Sequence, residues 1–255
     1  MRKMTLALAA LALSAMPALA GAQETTEHVT RTMKLDPGGT LRLKSFSGQI
    51  HITVTDRPEV VIDAVRWGTR ERLGRIALDI HDSGPNTVVV DANRRDRNTW
   101  FEFSSHDNVV RTDFDIKVPR RTNLDLSVFS APITVTGVEG TFKAHGFSSR
   151  LEFQDVTGPV EAHTFSGSVA IRAKTWQPNQ TIDIDTFSGN IDLHVPENAR
   201  GSVSFKSFSG HLDSERPLVL RSGSRTSLRA DLGNGGDNDG RLRFKTFSGS
   251  VKIDK

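Results

Sequence analysis

The sequence predicts an all-β fold: a β-solenoid or β-helix-like repeat array with short strands and Phe-Ser-Gly corners, plus an N-terminal β insertion. Three observations carry that expectation. A short motif recurs seven times, the residues before it alternate between apolar and polar without exception, and the alternation changes phase at the motif itself.

The motif reads SFSGQI from Ser45, VFSAPI from Val128, GFSSRL from Gly146, TFSGSV from Thr164, TFSGNI from Thr186, SFSGHL from Ser207 and TFSGSV from Thr246. Its aromatic residue is Phe46, Phe129, Phe147, Phe165, Phe187, Phe208 and Phe247, with steps of 18, 18, 22, 21 and 39 residues from Phe129 onward. Val138 and Val156 lie midway, so the stretch from Phe129 to Phe165 also carries a 9-residue half-repeat.

Aligned on the Phe, the positions five and three residues earlier are apolar in every copy, from Leu41 and Leu43 to Leu242 and Phe244. The positions four and two residues earlier are polar in every copy: Arg42, Asp125, Lys143, Glu161, Asp183, Ser204 and Arg243, then Lys44, Ser127, His145, His163, Asp185, Lys206 and Lys245. Period-two alternation of this kind describes a strand with one buried and one wet face. Four residues past the Phe stand Ile50, Ile133, Leu151, Val169, Ile191, Leu212 and Val251, so the apolar parity has shifted and the chain must bend at the motif.

The third corner residue is Gly48, Gly167, Gly189, Gly210 or Gly249 in five copies and Ala131 or Ser149 in two, which marks these positions as structural turn formers. Stacking such units would pile equivalent residues about 4.8 Å apart, and the Phe column is expected to fill the corner of the core. A sandwich or ordinary barrel explains the strand spacing but not the repeated corner.

Three parts follow: a first repeat over 36–55, a β insertion over 56–117 and a main array over 118–255, all within one domain, 23–255. The insertion lacks the motif but has strand-like runs at 60–65, 76–80, 87–90 and 113–118, with room for one helical turn at 69–75. DLGNGGDNDG, from Asp231, reads as a polar loop before the last strand.

The first 22 residues read as a signal peptide. Arg2 and Lys3 precede a Leu/Ala run over 6–15, and Ala18-Leu19-Ala20 or Ala20-Gly21-Ala22 offers a cleavage site, which places the mature protein in the periplasm or at the cell surface. No later segment approaches the length of a membrane-spanning helix. Cysteine is absent, which excludes disulfides, thiolate metal sites and a cysteine nucleophile. Without Arg2 and Lys3 the chain carries 31 basic and 30 acidic residues, a balance that gives no footprint for nucleic acid. Arg94, Arg95 and Arg97, and Arg120 with Arg121, read as solvated loop faces.

LRLKSFSGQIHI near the start, FDIKVPRRTNLDLS leading into the half-repeats, and RLRFKTFSGSVKI at the end resemble the bacterial putative-adhesin family of β-strand-repeat proteins. The resemblance spans most of the mature chain, with Phe-Ser-Gly in place of the more usual Val-Asn-Gly or Val-Ser-Gly corner. It implies a solenoid-like fold in the cell envelope and brings no catalytic residues with it.

Among candidate sites, His145, His163 and Asp185 share one outward column, where in-register stacking would bring the imidazoles within about 5 Å and offer a metal ladder. The bland reading is a polar column on a wet face. Glu161 and Asp183, also adjacent in register, have the separation of a retaining glycosidase pair, against a plain surface pair. Asp237, Asn238 and Asp239 suggest calcium, against a solvated loop, since neither an EF-hand nor a calcium-roll order is met. The corner serines have no paired His and Asp, and no phosphate loop or dinucleotide fingerprint occurs. Trp67, Trp100 and Trp176 are the only tryptophans and tyrosine is absent, a composition poor for a specialised sugar platform.

The expected function is therefore a non-enzymatic envelope scaffold or adhesin-like binding element without a cofactor, whose partner is an envelope protein or a glycan. A polysaccharide-acting enzyme and an envelope-stress sensor that binds a protein are the alternatives.

Overall fold

Each repeat contributes one strand to each of two sheets, and the Phe-Ser-Gly segment is the passage between them. The computed structural model describes residues 24–95, 109–236 and 238–255. The signal peptide assigned to 1–22, Arg97, Trp100 and Asp237 lie outside them. In chain order the strands are β1 (Glu24–Lys34), β2 (Gly39–Ser47), β3 (Ile50–Thr55), β4 (Glu59–Thr69), β5 (Ile76–Asp82), β6 (Thr87–Arg95) and β7 (Arg111–Pro119). The array continues with β8 (Thr122–Ser130), β9 (Ile133–Thr136), β10 (Phe142–Gly146), β11 (Leu151–Val156), β12 (Val160–Ser166), β13 (Val169–Ala173), β14 (Gln180–Ser188) and β15 (Ile191–His194). It ends with β16 (Gly201–Ser207), β17 (Leu212–Ser214), β18 (Leu218–Gly223), β19 (Ser227–Leu232), β20 (Gly240–Thr246) and β21 (Val251–Asp254). The single helix among the described residues, α1 (Arg70–Arg75), is capped by Thr69, whose hydroxyl accepts the Arg72 amide, and falls where a helical turn was expected.

The fold is all-β, with two large mixed sheets and no closed one. The first runs β1-β4-β7-β3-β9-β11-β13-β15-β21-β17, the second β18-β19-β16-β20-β14-β12-β10-β8-β2-β6-β5. Motif strands pair in parallel, and their register matches the alignment on the Phe. Leu41, Leu124, Phe142, Val160, Ile182, Leu242 and Val203 are successive partners in the second sheet. Ile50, Ile133, Leu151, Val169, Ile191, Val251 and Leu212 are successive partners in the first. The core lies between the sheets and includes these columns and the apolar column three residues before the Phe, nearly all fully buried.

Strands of 56–117 extend both sheets beyond the first repeat: β6 lies parallel to β2, and β7 parallel to β3. β4 and β1 then continue the first sheet antiparallel, and β5 does so in the second. Inside this segment Arg66 is buried, and its guanidinium donates to Glu27 and to the Ile76 carbonyl. At the other end the spatial order departs from the chain order, because β20 sits between β14 and β16 and β21 between β15 and β17. Among the described residues no helix is long and apolar enough to cross a membrane.

Glycine at the corners answers to space rather than to backbone angle. Gly48 has a φ of 123°, but Gly167, Gly189, Gly210 and Gly249 do not share a left-handed φ. What they share is a neighbour: a Cβ on Gly189 would lie 1.9 Å from the Gly167 carbonyl oxygen, and one on Gly249 would lie 2.1 Å from that of Gly189. Adjacent corners thus touch through bare backbone.

Candidate functional site

The motif Phe residues face outward. In the spatial order Phe46, Phe129, Phe147, Phe165, Phe187, Phe247 and Phe208 they form one column, with successive ring centroids 4.5 to 5.0 Å apart and ring planes within 2° to 13° of parallel. Each is 38 to 71% exposed. The expectation that this column fills the corner of the core is therefore corrected.

The physical reason lies in the same alternation that defined the strands. Positions four and two before the Phe point to solvent, and a strand that keeps its period must send the Phe the same way. The inward slot beside it belongs to the preceding residue: Ser45, Val128, Gly146, Thr164, Thr186, Ser207 or Thr246, small and mostly polar. These hydroxyls serve the bend. Thr164 Oγ1 lies 3.2 Å from the Gly167 carbonyl oxygen and 3.0 Å from Thr186 Oγ1, and Ser207 Oγ accepts the Gly210 amide at 2.6 Å.

Backbone hydrogen bonds set the ring spacing. The amides of Ser148 and Ser166 donate to the carbonyls of Phe129 and Phe147 at 2.7 Å, and those of Ser248 and Ser209 to Phe187 and Phe247 at 3.0 Å. The rungs are thus fixed by the sheet, and parallel rings at this separation gain stacking contact from both neighbours. The second corner residue is serine in every copy, so the Phe column is edged on one side by a column of hydroxyls.

On the other side runs a shallow, largely open groove of about 640 Å³. Rings from Phe46 to Phe187 make one wall, while Lys44, Ser127, His145, His163 and Asp185 line the other. Asp91 and Asn93 of β6 close around the Lys44 end.

The structure does bring His145 and His163 together, with ring centroids 5.2 Å apart and planes within 5° of parallel. Lone pairs lie in the ring planes, so stacked imidazoles aim them side by side rather than at one point. His163 Nε2 is 3.2 Å from Glu161 Oε1, and Asp185 pairs with Lys245 at 3.0 Å. Among the described residues no cluster of three or more potential metal ligands occurs. Isothermal titration with zinc is expected to show no binding heat, and a saturable micromolar site would restore the metal ladder.

Glu161 and Asp183 are register partners, but each already has a cation or imidazole beside it. Arg243 Nε donates to Asp183 Oδ2 at 2.9 Å, with a second bond from the same guanidinium, and these contacts raise the Arg243 pKa above its ordinary value. Asp183 instead lines a second, charged groove with Arg229, Arg243 and Lys206. A general acid needs a site that disfavours its charge, and an arginine partner does the opposite.

No family model matches the chain, and no curated protein matches it significantly. Solved structures similar to it include a putative cell adhesion protein from Clostridium sporogenes, at 10% identity and a TM-score of 0.48, covering 89% of this chain and 99% of that one. A putative adhesin from Bacteroides fragilis follows at 12% identity and a TM-score of 0.42, covering 89% and 97%. A putative lipid binding protein from Parabacteroides distasonis has 9% identity and a TM-score of 0.33, again covering 89% and 97%. These descriptions belong to those proteins.

Sequence reasoning singled out every residue of the Phe column but put it on the wrong side of the sheet. Asp91 and Asn93 it missed altogether, because their place beside Lys44 depends on the parallel pairing of β6 with β2, which no motif announces.

Proposed function

We propose that this chain is an exported cell-envelope protein, a solenoid-like β-repeat scaffold without catalytic activity, and that the outward Phe column is its binding element. The observation that carries this reading is the column itself: seven half-exposed rings in one line, where soluble proteins seldom leave contiguous apolar surface without a use. An adhesin-like role fits such a surface. An apolar column, rather than a cleft lined by free carboxylates, favours binding over hydrolysis of polysaccharide.

Shape narrows the partner to something long and thin. Sugars stack on aromatic faces, but here each inner ring has both faces covered by its neighbours and offers only its edge. A protein interface needs a broad patch, about 800 Å² on each partner. The column is one ring wide, bounded by serines on one side and by the polar groove wall on the other.

Two measurements test the reading. The fluorescence of 1-anilinonaphthalene-8-sulfonate is expected to rise with the native protein and to lose most of that rise in the double variant Phe147→Ser/Phe165→Ser. An unchanged signal would remove the column from the function. N-terminal sequencing of the protein from the envelope fraction is expected to begin at Gly21 or Gln23, and an intact Met1 in the cytoplasm would overturn export.

A further inference from the structure

Resting on the reading of the Phe column as a binding element, we propose that the groove beside it seats a single unbranched acyl chain, with the tail along Phe129 to Phe187 and the polar head at Lys44 and Asp91. The groove has the form of a chain rather than a disc. Its apolar wall comprises five rings in four steps of 4.5 to 5.0 Å. The tail stretch from Phe129 to Phe187 is three of these steps, a run of roughly 15 Å that matches the ~15 Å the chains of one bilayer leaflet span. The repeat is also smooth on the scale of a methylene chain, because equal rings at equal spacing leave no pocket that would demand a branch or a ring. Such a ligand exchanges water for ring edges along its whole length, an exchange that grows with each methylene.

The two ends of the groove differ in how their charges are paired. At the far end Asp185 is held by Lys245. At the near end Lys44 makes no ion pair among the described residues, and Asp91 stands opposite it in the register of β2 and β6. One Asp91 oxygen accepts the Asn93 amide at 3.1 Å, which leaves the other for a ligand. A cation and a carboxylate at one end of an apolar groove can hold a carboxylate head through Lys44, or the phosphate and amine of a lysophospholipid through Lys44 and Asp91 together, while Asn93 Oδ1 is taken by the Val110 amide at 3.1 Å. The shared chemistry is the acyl chain. The head decides between a free fatty acid and a membrane-derived lipid.

The test is a fluorescence titration of the mature protein with cis-parinaric acid, followed by displacement with hexadecanoate, octanoate and lysophosphatidylethanolamine. Expected are one saturable site per chain and displacement by hexadecanoate on the order of tenfold or more better than by octanoate. Binding should weaken at least tenfold in Phe147→Ser/Phe165→Ser, persist in Phe147→Leu/Phe165→Leu, and weaken severalfold for fatty acid in Lys44→Gln. Tighter displacement by the lysophospholipid, reduced by Asp91→Asn, assigns the head to a lipid; equal or weaker displacement assigns it to a free fatty acid. No saturable parinarate binding overturns the acyl proposal. If anilinonaphthalene sulfonate still depends on Phe147 and Phe165 in that case, the binding column stands and only its ligand was misassigned. A native dimer by light scattering that the Phe147→Ser/Phe165→Ser variant splits, with no parinarate bound, would replace the acyl chain by a second copy of this chain. If neither dye responds to the column, both readings fall together.

Discussion

Phe244→Ala is expected to destabilise the protein by about 3–5 kcal/mol, whereas Phe247→Ala, three residues later in the same repeat, should cost only about 1–2 kcal/mol. Phe244 is fully buried between the sheets. Its truncation leaves a cavity that the parallel strands on either side cannot collapse into. Phe247 is 45% exposed and loses chiefly its stacking on Phe187 and Phe208, both at 4.8 Å. Denaturant melts of the two variants read the difference directly. Equal losses would mean that the outward column is a structural element after all, and the binding proposal would lose its main support.

Gly189→Ala should be comparably severe, about 3 kcal/mol, because the new methyl meets the Gly167 carbonyl oxygen at 1.9 Å and its carbon at 2.8 Å. Neither corner can move aside, since the strands flanking both are paired in both sheets. Gly38 supplies the control. Its φ is 86° with nothing within 4 Å of a built Cβ, so Gly38→Ala carries only the backbone cost of about 1 kcal/mol. A melting temperature lowered far more by Gly189→Ala than by Gly38→Ala would separate crowding from conformational strain, and the reverse order would show that angle governs these corners.

These contrasts also mark what the sequence made legible. Strands, corners and registers were readable because an in-register parallel array repeats its environment, so that alignment of copies and pairing of strands are the same operation. Leu41, Leu124, Phe142, Val160 and Ile182 align on paper and are successive partners in space for that reason. The side taken by the Phe was readable too, from the parity of Arg42 and Lys44, but hydrophobicity pulled the expectation inward. Where a residue-type preference and a backbone period disagree, the period wins, because one reversed side chain would turn its whole strand. The demand for glycine at Gly189 could not be read as crowding, since the atom it avoids is 22 residues away. The 39-residue step before Phe247 likewise concealed the hairpin of β18 and β19 and the inverted order of the last two repeats.

That inversion bears on how the chain reaches its folded state. A polypeptide emerges N-terminus first, and up to β15 each new coil of the array finds its parallel neighbour already made. β16 and β17 find none. Their partners are β20 and β21, which lie 39 residues later in the chain. Until residues 240–254 arrive, the penultimate coil can pair only with the β19 side of its own hairpin, and the growing array ends in an unfilled slot. The terminal segment then closes two ladders in each sheet at once. A chain cut before residue 240 lacks both that rung and the join to the repeat before it, so synthesis through β21 is written into the topology as a condition for assembling that part of the array.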